Sequence, residues 1–164
     1  MIKLGTGTEG GIEFENPKNI ECVCTVGNYS AICRNCKIIV DKKANVSIGS
    51  DVFINEGVAI YSGVTIGNCV IIGKLCDITT DIPDYSEVIR YGNNVKIVQR
   101  YTPIVRSFLN DIEWWNWSTD KINSNKQFFS QCLNKLDPIY NILSFDIMDY
   151  SFNLNKIKNQ LKDA

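Results

Sequence analysis

Residues 54–67, INEGVAIYSGVTIG, place an aliphatic residue at every sixth position. A period of six is neither the 3.6 of an α-helix nor the simple alternation of a strand in a flat sheet. The period continues on both sides of this stretch in two registers, one made of isoleucine and the other mainly of valine. The first register is Ile48, Ile54, Ile60, Ile66, Ile72 and Ile78, and the second is Val52, Val58, Val64, Val70, Cys76 and Ile82.

The residues between these aliphatic pairs have turn chemistry, as in 55–57 (NEG) and 61–63 (YSG). Two residues separated by two in an extended chain point the same way, so each pair predicts a short strand with one inner face. Short strands joined by corners predict a solenoid whose stacked coils bury one aliphatic column. The pattern also occurs upstream, at Cys24/Val26, Ser30/Ile32 and Cys36/Ile38. Residues 39–47 then interrupt the phase, because Ile38 and Ile48 are ten apart.

Three segments resemble one family of enzymes. Residues 48–73 (IGSDVFINEGVAIYSGVTIGNCVIIG) resemble the hexapeptide repeat of the left-handed β-helix acyltransferases. Residues 81–101 (DIPDYSEVIRYGNNVKIVQRY) and 109–122 (LNDIEWWNWSTDKI) are similar to the closing segment of the xenobiotic acetyltransferase branch, which includes streptogramin and hexapeptide-type chloramphenicol acetyltransferases and many sugar O-acetyltransferases. The resemblance covers roughly residues 20–124. It implies an all-β left-handed parallel β-helix, a homotrimer, and acetyl-CoA lying in the groove between neighbouring β-helices.

Two domains are expected. Residues 1–100 are predicted to form the β-helix with an N-terminal cap, and residues 101–164 a C-terminal α-helical extension that packs on the β-helix and lies at an interface. Thr102 and Pro103 have the chemistry of an N-cap and an N1 residue, so they predict a helix start. Ser118, or the residue after it, predicts the start of a second helix.

The extension contains two further apolar features. Trp114, Trp115 and Trp117 are interpreted as anchors of the helices on the β-helix wall, with stacking on a cofactor as the alternative. A stripe with helical spacing follows the Asp137-Pro138 pair. Its members are Ile139, Leu143, Ile147, Tyr150, Leu154, Ile157 and Leu161. It predicts one long helix or two short ones, which pack on a neighbour or bind a protein partner through residues 138–164.

The composition excludes several kinds of function. With 17 basic and 18 acidic residues the net charge is −1, so the basic footprint of a nucleic-acid or membrane-surface binder is absent. No apolar run approaches the roughly 18 residues of a membrane span, and no signal peptide is apparent, so a cytoplasmic protein is expected. Seven cysteines indicate free thiols in a reducing compartment. Cys22, Cys24, Cys33 and Cys36 are an alternative zinc set, but one pair is too closely spaced, and no metal is expected.

The chain has no histidine, and the resemblance implies a histidine as the general base for acetylating a hydroxyl group. Residues 38–47 (IIVDKKANVS) correspond to the family segment that holds it. Asp41 and Glu56 are the candidate catalytic residues, because a desolvated carboxylate has a raised pKa and can accept a proton. Solvated surface carboxylates are the alternative interpretation. Cys33 and Cys36 are possible thiolate nucleophiles or small core residues.

The resemblance also implies a binding site for CoA along the later coils and the segment after them. The matching positions are Gly73, Lys74, Thr79 and Lys96, where the lysines would meet phosphates as point charges or would be ordinary solvated surface. The segment GNNVK at 92–96 departs from the family motif, because Asn94 replaces a proline.

The sequence therefore predicts an acetyl-CoA-dependent acetyltransferase that acts on a sugar or amino sugar of surface-polysaccharide metabolism. N-acetylation is favoured, because a neutral amine attacks a thioester without a base. The alternative is a catalytically inactive, trimeric scaffold or regulatory protein.

Overall fold

The structure is a computed structural model that describes residues 1–129 and 158–161. The chain divides into two compact units, Met1–Arg100 and Tyr101–Ala164. The first unit is built from short strands, which are β1 (Ile2–Leu4), β2 (Glu9–Gly10), β3 (Glu13–Glu15), β4 (Cys24–Val26), β5 (Ala31–Ile32), β6 (Lys37–Ile39), β7 (Val46–Ile48), β8 (Phe53–Ile54), β9 (Ala59–Tyr61), β10 (Thr65–Ile66), β11 (Ile71–Ile72), β12 (Asp77–Ile78), β13 (Ser86–Tyr91) and β14 (Asn94–Gln99).

These strands form three sheets, and the chain visits them in rotation. The first sheet has the order β1-β4-β7-β10, the second β14-β13-β11-β8-β5-β2, and the third β12-β9-β6-β3. The pairs are parallel except β13–β14, which form an antiparallel hairpin. We number the corners by the sheets they join: corner 1 leads from the first sheet to the second, corner 2 from the second to the third, and corner 3 back to the first. The result is a parallel β-solenoid of about four coils, and the predicted β-helix fold is confirmed.

The interrupted phase of the repeat is an insertion at corner 3. Val26, Ile48 and Ile66 occupy the same place in successive coils, so the step is 22 residues and then 18. The four additional residues lie within the 39–47 segment, which leaves the third sheet after β6 and enters β7. The stretch expected to be an N-terminal cap forms a further coil, in which β1 pairs with β4 in parallel.

Both aliphatic registers point into the solenoid, as predicted. Ile54, Ile60 and Ile72 are fully buried, and so are Val58 and Val70 of the second register. Each coil places its pairs directly above those of the coil before, so the aliphatic side chains form one continuous column. Burial of this column is the main force that stabilises the unit.

Corner 1 is held by a ladder of side-chain oxygens. The N–H of Asn28 donates to Ser50 Oγ at 2.9 Å, that of Ser50 to Asn68 Oδ1 at 2.8 Å, and that of Asn68 to Asp84 Oδ1 at 2.7 Å. The next residue in each corner has a positive φ, namely Gly7 (65°), Tyr29 (54°), Asp51 (55°), Cys69 (57°) and Tyr85 (59°). The ladder keeps the left-handed corners in register from coil to coil.

The second unit is helical. Helix α1 (Pro103–Ile112) has Thr102 as its N-cap and Pro103 at N1, and α2 (Thr119–Ser124) has Ser118 as its N-cap, so both predicted helix starts are confirmed. A short 3₁₀ helix, Trp114–Asn116, precedes α2, and α3 (Lys126–Phe129) follows it.

The apolar stripe after Pro138 and the predicted partner segment 138–164 lie outside the described residues except at 158–161. There, Lys158 Nζ is 3.2 Å from Asp111 Oδ2. None of the helices formed by the described residues is long and apolar enough to cross a membrane.

Candidate functional site

Corner 2 brings together three of the residues that the sequence singled out. It is formed in successive coils by 33–36, 55–58 and 73–76, and its third residue has a positive φ in each: Asn35 (61°), Gly57 (73°) and Leu75 (58°). The residues before these, Arg34, Glu56 and Lys74, therefore stack on one another along the corner.

The stacked side chains form a charge ladder, in which a carboxylate lies between two cations. Arg34 Nε donates to Glu56 Oε1 at 2.7 Å, and Lys74 Nζ lies 3.9 Å from Glu56 Oε2. The side chains of Arg34 and Lys74 are mostly exposed. Glu56 is thus bound in ion pairs and is not desolvated among apolar groups. This arrangement suits a structural role of Glu56 better than that of a general base.

Gly73 lies where the backbone of β13 approaches corner 2 closely. Its N–H donates to Val88 O at 2.8 Å, and a Cβ on Gly73 would lie 3.0 Å from the same oxygen. This contact joins corner 2 to β13 and so to the hairpin that carries Lys96. Lys96 is exposed on β14, opposite Ile89 in the antiparallel register.

A cavity of about 180 Å³ lies where corner 2 faces the hairpin turn. Its walls are Leu75 and Asp77 on the coil side and Arg90, Asn93 and Asn94 on the hairpin side. Hydrogen-bond donors and acceptors therefore surround the exposed side chain of Leu75. The cavity is smaller than the roughly 300–1,000 Å³ of a drug-sized pocket, so it accommodates a small group or one part of a larger ligand.

Asp41 lies at corner 3 and is separated from this site. Ser62 Oγ donates to Asp41 Oδ1 at 2.6 Å and accepts the N–H groups of Asp41 and Lys42 at 3.3 and 3.2 Å. The Ser62 hydrogen bond holds the pKa of the exposed Asp41 carboxyl below its usual range. A proton acceptor requires the opposite shift, so the desolvated carboxylate on which the predicted role depends is not present at this position.

Thr79 also lies away from corner 2, in the exposed segment that follows β12. Of the six predicted site residues, the structure brings Glu56, Gly73 and Lys74 together and places Lys96 on the adjoining hairpin. Asp41 and Thr79 lie on the corner 3 side of the solenoid.

A cluster at corner 1, in which Cys69 is buried and Asp51 and Arg100 are partly buried, was missed by the sequence reasoning. The thiol of Cys69 donates a hydrogen bond to the carboxylate of Asp51, and the guanidinium of Arg100 donates to the carbonyl oxygen of Cys69. Burial raises the pKa of Asp51 to about 6, although the Cys69 hydrogen bond and the Arg100 charge oppose the shift. The backbone N–H of Arg100 donates in addition to Tyr85 O at 2.8 Å. Arg100 thus forms hydrogen bonds to two successive coils, and its charge acts on Asp51 in the coil before them, a relationship that a local pattern does not reveal.

Three of the four cysteines considered as metal ligands or nucleophiles belong to the core, whereas Cys33 is only partly buried. Cys22, Cys24 and Cys36 are buried, and burial raises the pKa of all three thiols. Within residues 1–129 and 158–161 no group of three or more histidine, cysteine or acidic residues is arranged to hold a metal ion. Such thiols are poor nucleophiles, because the thiolate is the reactive form.

About half of the chain is similar in sequence to known acetyltransferases. No family model matches the chain. A chloramphenicol acetyltransferase of Klebsiella aerogenes is 38% identical over 85 residues, which are 51% of this chain and 39% of that protein. A probable macrolide acetyltransferase of Lysinibacillus sphaericus is 35% identical over 89 residues, or 54% of this chain and 48% of its own length. A chloramphenicol acetyltransferase of Escherichia coli is 31% identical over 94 residues, or 57% and 43%.

The chain spans less than half the length of these curated relatives. The similarity is thus to the acetyltransferases of chloramphenicol and macrolides, and it extends over about half of a chain that folds as a parallel β-solenoid.

Proposed function

We propose that this protein is an acetyltransferase that takes its acetyl group from acetyl-CoA. The observation that supports this most directly is the 38% identity over 85 residues to a chloramphenicol acetyltransferase, in a chain that forms a parallel β-solenoid. A cytoplasmic protein fits this role, because its free cysteines suit a reducing compartment.

Corner 2 and the hairpin are the proposed binding site for CoA. Lys74 and Lys96 supply positive charge for its phosphate groups, and Gly73 provides a place where a backbone can be approached closely. The cavity beside Leu75, the residue that follows Lys74, offers room for an uncharged, hydrogen-bonding part of the same molecule. Thr79 stays a weaker candidate, since it lies beyond β12 on the corner 3 side.

The acceptor is proposed to be an amine, as in an amino sugar of surface-polysaccharide metabolism. The neutral amine nitrogen attacks the thioester carbonyl carbon, the tetrahedral intermediate collapses, and the C–S bond breaks. The amide and CoA are the products, and the proton lost by nitrogen passes to the leaving thiolate through solvent. Such a step needs orientation and hydrogen-bond donors for the oxyanion, and no histidine.

A homotrimer is part of the proposal. The outer face of the second sheet is apolar along three successive coils, where Ala31, Phe53 and Ile71 are register partners. Phe53 is 40% exposed and Ile89, further along the same sheet, 45%. An exposed apolar stripe on one face of a β-helix suits contact with another copy of the chain.

A catalytically inactive scaffold is the second candidate. It is favoured by the surroundings of the two predicted bases, because Glu56 is held between cations and Asp41 is exposed with a lowered pKa. Residues 138–164 would then serve as the partner-binding segment.

Two measurements separate the candidates. Calorimetric titration with CoA is expected to give saturable binding to the purified protein, and release of CoA thiol from acetyl-CoA is expected with glucosamine as acceptor. Chloramphenicol and a macrolide serve as hydroxyl acceptors in parallel reactions. Absence of CoA binding at millimolar ligand would refute the acetyltransferase. Binding without transfer to any of the three acceptors would favour the scaffold, and transfer to the hydroxyl acceptors alone would refute the amine specificity.

A further inference from the structure

Arg90 connects the hairpin to corner 2 through two hydrogen bonds. Its Nη1 donates to Leu75 O at 3.2 Å, and its Nε donates to Gly92 O at 3.1 Å. Leu75 is the left-handed residue of corner 2 in the last coil, and Gly92 is the positive-φ residue of the hairpin turn. One guanidinium thus ties the turn of the hairpin to the corner beside it.

This connection lies beyond the end of the parallel ladder that joins the hairpin to the solenoid. The β11–β13 ladder pairs Ile72 with Val88, and Gly73 donates to Val88 O. β13 and β14 pair with each other along their whole length, and Val95, the register partner of Arg90, packs against the solenoid core. Arg90, two residues beyond Val88, is therefore placed to help fix how the tip of the hairpin lies against corner 2.

The same guanidinium forms one wall of the cavity between corner and hairpin. Lys74 immediately precedes Leu75 at the corner, and Lys96 lies on the strand that returns from the hairpin turn. Together with the Gly73–Val88 hydrogen bond, the bonds of Arg90 consequently hold the two elements that bear these lysines beside each other. A planar fork of donors can hold two carbonyl oxygens at once, which a single ammonium group does less well.

We propose that Arg90 is a positioning residue for CoA binding, which fixes the hairpin against corner 2 so that Lys74 and Lys96 engage the phosphates of one ligand together. This inference rests on the proposed function and adds to it a residue and a geometric role. It implies that the effects of Lys74 and Lys96 on CoA affinity depend on each other, and that this dependence requires the Arg90 fork.

The first test compares CoA affinity in variants of Arg90 by calorimetric titration. Arg90→Gln is expected to raise the Kd for CoA about tenfold, as for the loss of one or two hydrogen bonds to a charged group. Arg90→Lys keeps the charge and is expected to bind nearly as weakly as Arg90→Gln. Lys37→Gln, which removes a cation that pairs with Glu15 on the third sheet, is the charge-matched control and should bind like the wild type.

The second test is a double-mutant cycle on CoA binding with Lys74→Gln and Lys96→Gln. The two substitutions are expected to be non-additive in the wild type and additive in the Arg90→Gln background. In active preparations, KM for acetyl-CoA should rise while kcat is unchanged. A general loss of folding would not raise KM while leaving kcat unchanged. Equal thermal midpoints of the wild type and the variants exclude such a loss of folding.

A third measurement needs no ligand. Hydrogen exchange of residues 89–96 should be faster in Arg90→Gln, with exchange of the coil strands unchanged. Unaltered exchange, full recovery of CoA affinity in Arg90→Lys, or wild-type affinity in Arg90→Gln would each overturn the positioning role while leaving the acetyltransferase intact. Failure of the wild-type protein to bind CoA would overturn both.

Discussion

Glu56 Oε2 lies 3.9 Å from Lys74 Nζ, so a predicted base and a predicted phosphate ligand belong to one charge ladder at corner 2. Arg34 occupies the other side of the same carboxylate at 2.7 Å. A phosphate that approaches Lys74 must compete with Glu56 and is repelled by its charge. The carboxylate therefore opposes anion binding while it orders the corner.

Replacement of Glu56 by glutamine is accordingly expected to strengthen CoA binding. The gain should be about two- to fivefold at low salt, since removal of one nearby like charge is worth up to about 1 kcal/mol in exposed surroundings. The gain should shrink at 0.5 M salt, because screening weakens exposed charges. Calorimetric titration of CoA at both salt concentrations measures it.

Glu15→Gln is the matched control for this substitution, because Glu15 pairs with Lys37 on the third sheet at 3.1 Å. It should leave CoA affinity unchanged. A loss of kcat by a factor of about 10² or more in Glu56→Gln would instead identify Glu56 as the general base.

The partly buried carboxyl of Asp51 predicts an unusual pH dependence of stability. Its pKa is raised from 3.8 to about 6 by burial. The folded state then binds this proton more tightly than the unfolded state, so the stabilisation is complete below about pH 4 and is lost as pH rises through about 6. The two-unit shift corresponds to about 2–3 kcal/mol.

Asp51→Asn removes this titration. The difference in unfolding free energy between wild type and variant is expected to fall by about 2–3 kcal/mol from pH 4 to pH 7.5. Urea unfolding at a series of pH values gives the two curves. If the difference in unfolding free energy between wild type and variant does not change with pH, Asp51 has an ordinary pKa. If the wild type gains stability relative to the variant as the pH rises, the pKa of Asp51 is lowered.

Much of the fold was predictable because the two registers report burial directly. Ile54 and Val58 differ only in register, yet both point inward, and an uninterrupted period of six leaves few alternatives. The first coil was not predicted, because its spacing is irregular: the second-sheet position Gly10 precedes the third-sheet position Phe14 by four residues, whereas Ile32 precedes Ile38 by six.

Contacts within the site were predictable only between residues that occupy equivalent positions of the repeat. Glu56 and Lys74 occupy equivalent corner positions 18 residues apart, so their contact follows from coil length. Arg90 and Arg100 reach corners 2 and 1 from the hairpin after the last coil. Their partners depend on how that hairpin folds back, which no local periodicity encodes.

Asp41 offers a direct test of whether transfer needs a carboxylate base. Because the pKa of Asp41 is lowered by the Ser62 hydrogen bond and its carboxyl is exposed, it is a weak proton acceptor. Asp41→Asn should therefore change kcat for glucosamine acetylation less than about fivefold, whereas removal of a general base typically costs about 10²–10⁴. Ser62→Ala is the companion variant. It should raise the pKa of Asp41 in a carboxyl NMR titration and leave kcat at pH 7 unchanged. A large loss of kcat in Asp41→Asn at unchanged KM would identify Asp41 as the general base that the sequence predicts.

Gly49 tests the corner 1 ladder on which the stacking of coils depends. A Cβ at this position would lie 2.6 Å from both Asn68 Oδ1 and Gly67 O in the following coil. Gly49→Ala is therefore expected to lower the unfolding free energy by about 3 kcal/mol. Gly11→Ala is the control, since a Cβ there meets no atom within 4 Å, and it should cost less than about 0.5 kcal/mol.

The identity of the obstructing atoms makes this prediction sharper. If only the Asn68 side chain blocked the methyl group, Asn68→Ala would rescue Gly49→Ala. The Gly67 carbonyl oxygen is equally close and belongs to the backbone, so the double variant should be at least as unstable as Gly49→Ala. It also loses the hydrogen bond from the Ser50 N–H to Asn68, which can lower its stability further. Urea unfolding of the three variants and the wild type decides the matter, and recovery of stability in the double variant would show that the coils can separate at corner 1.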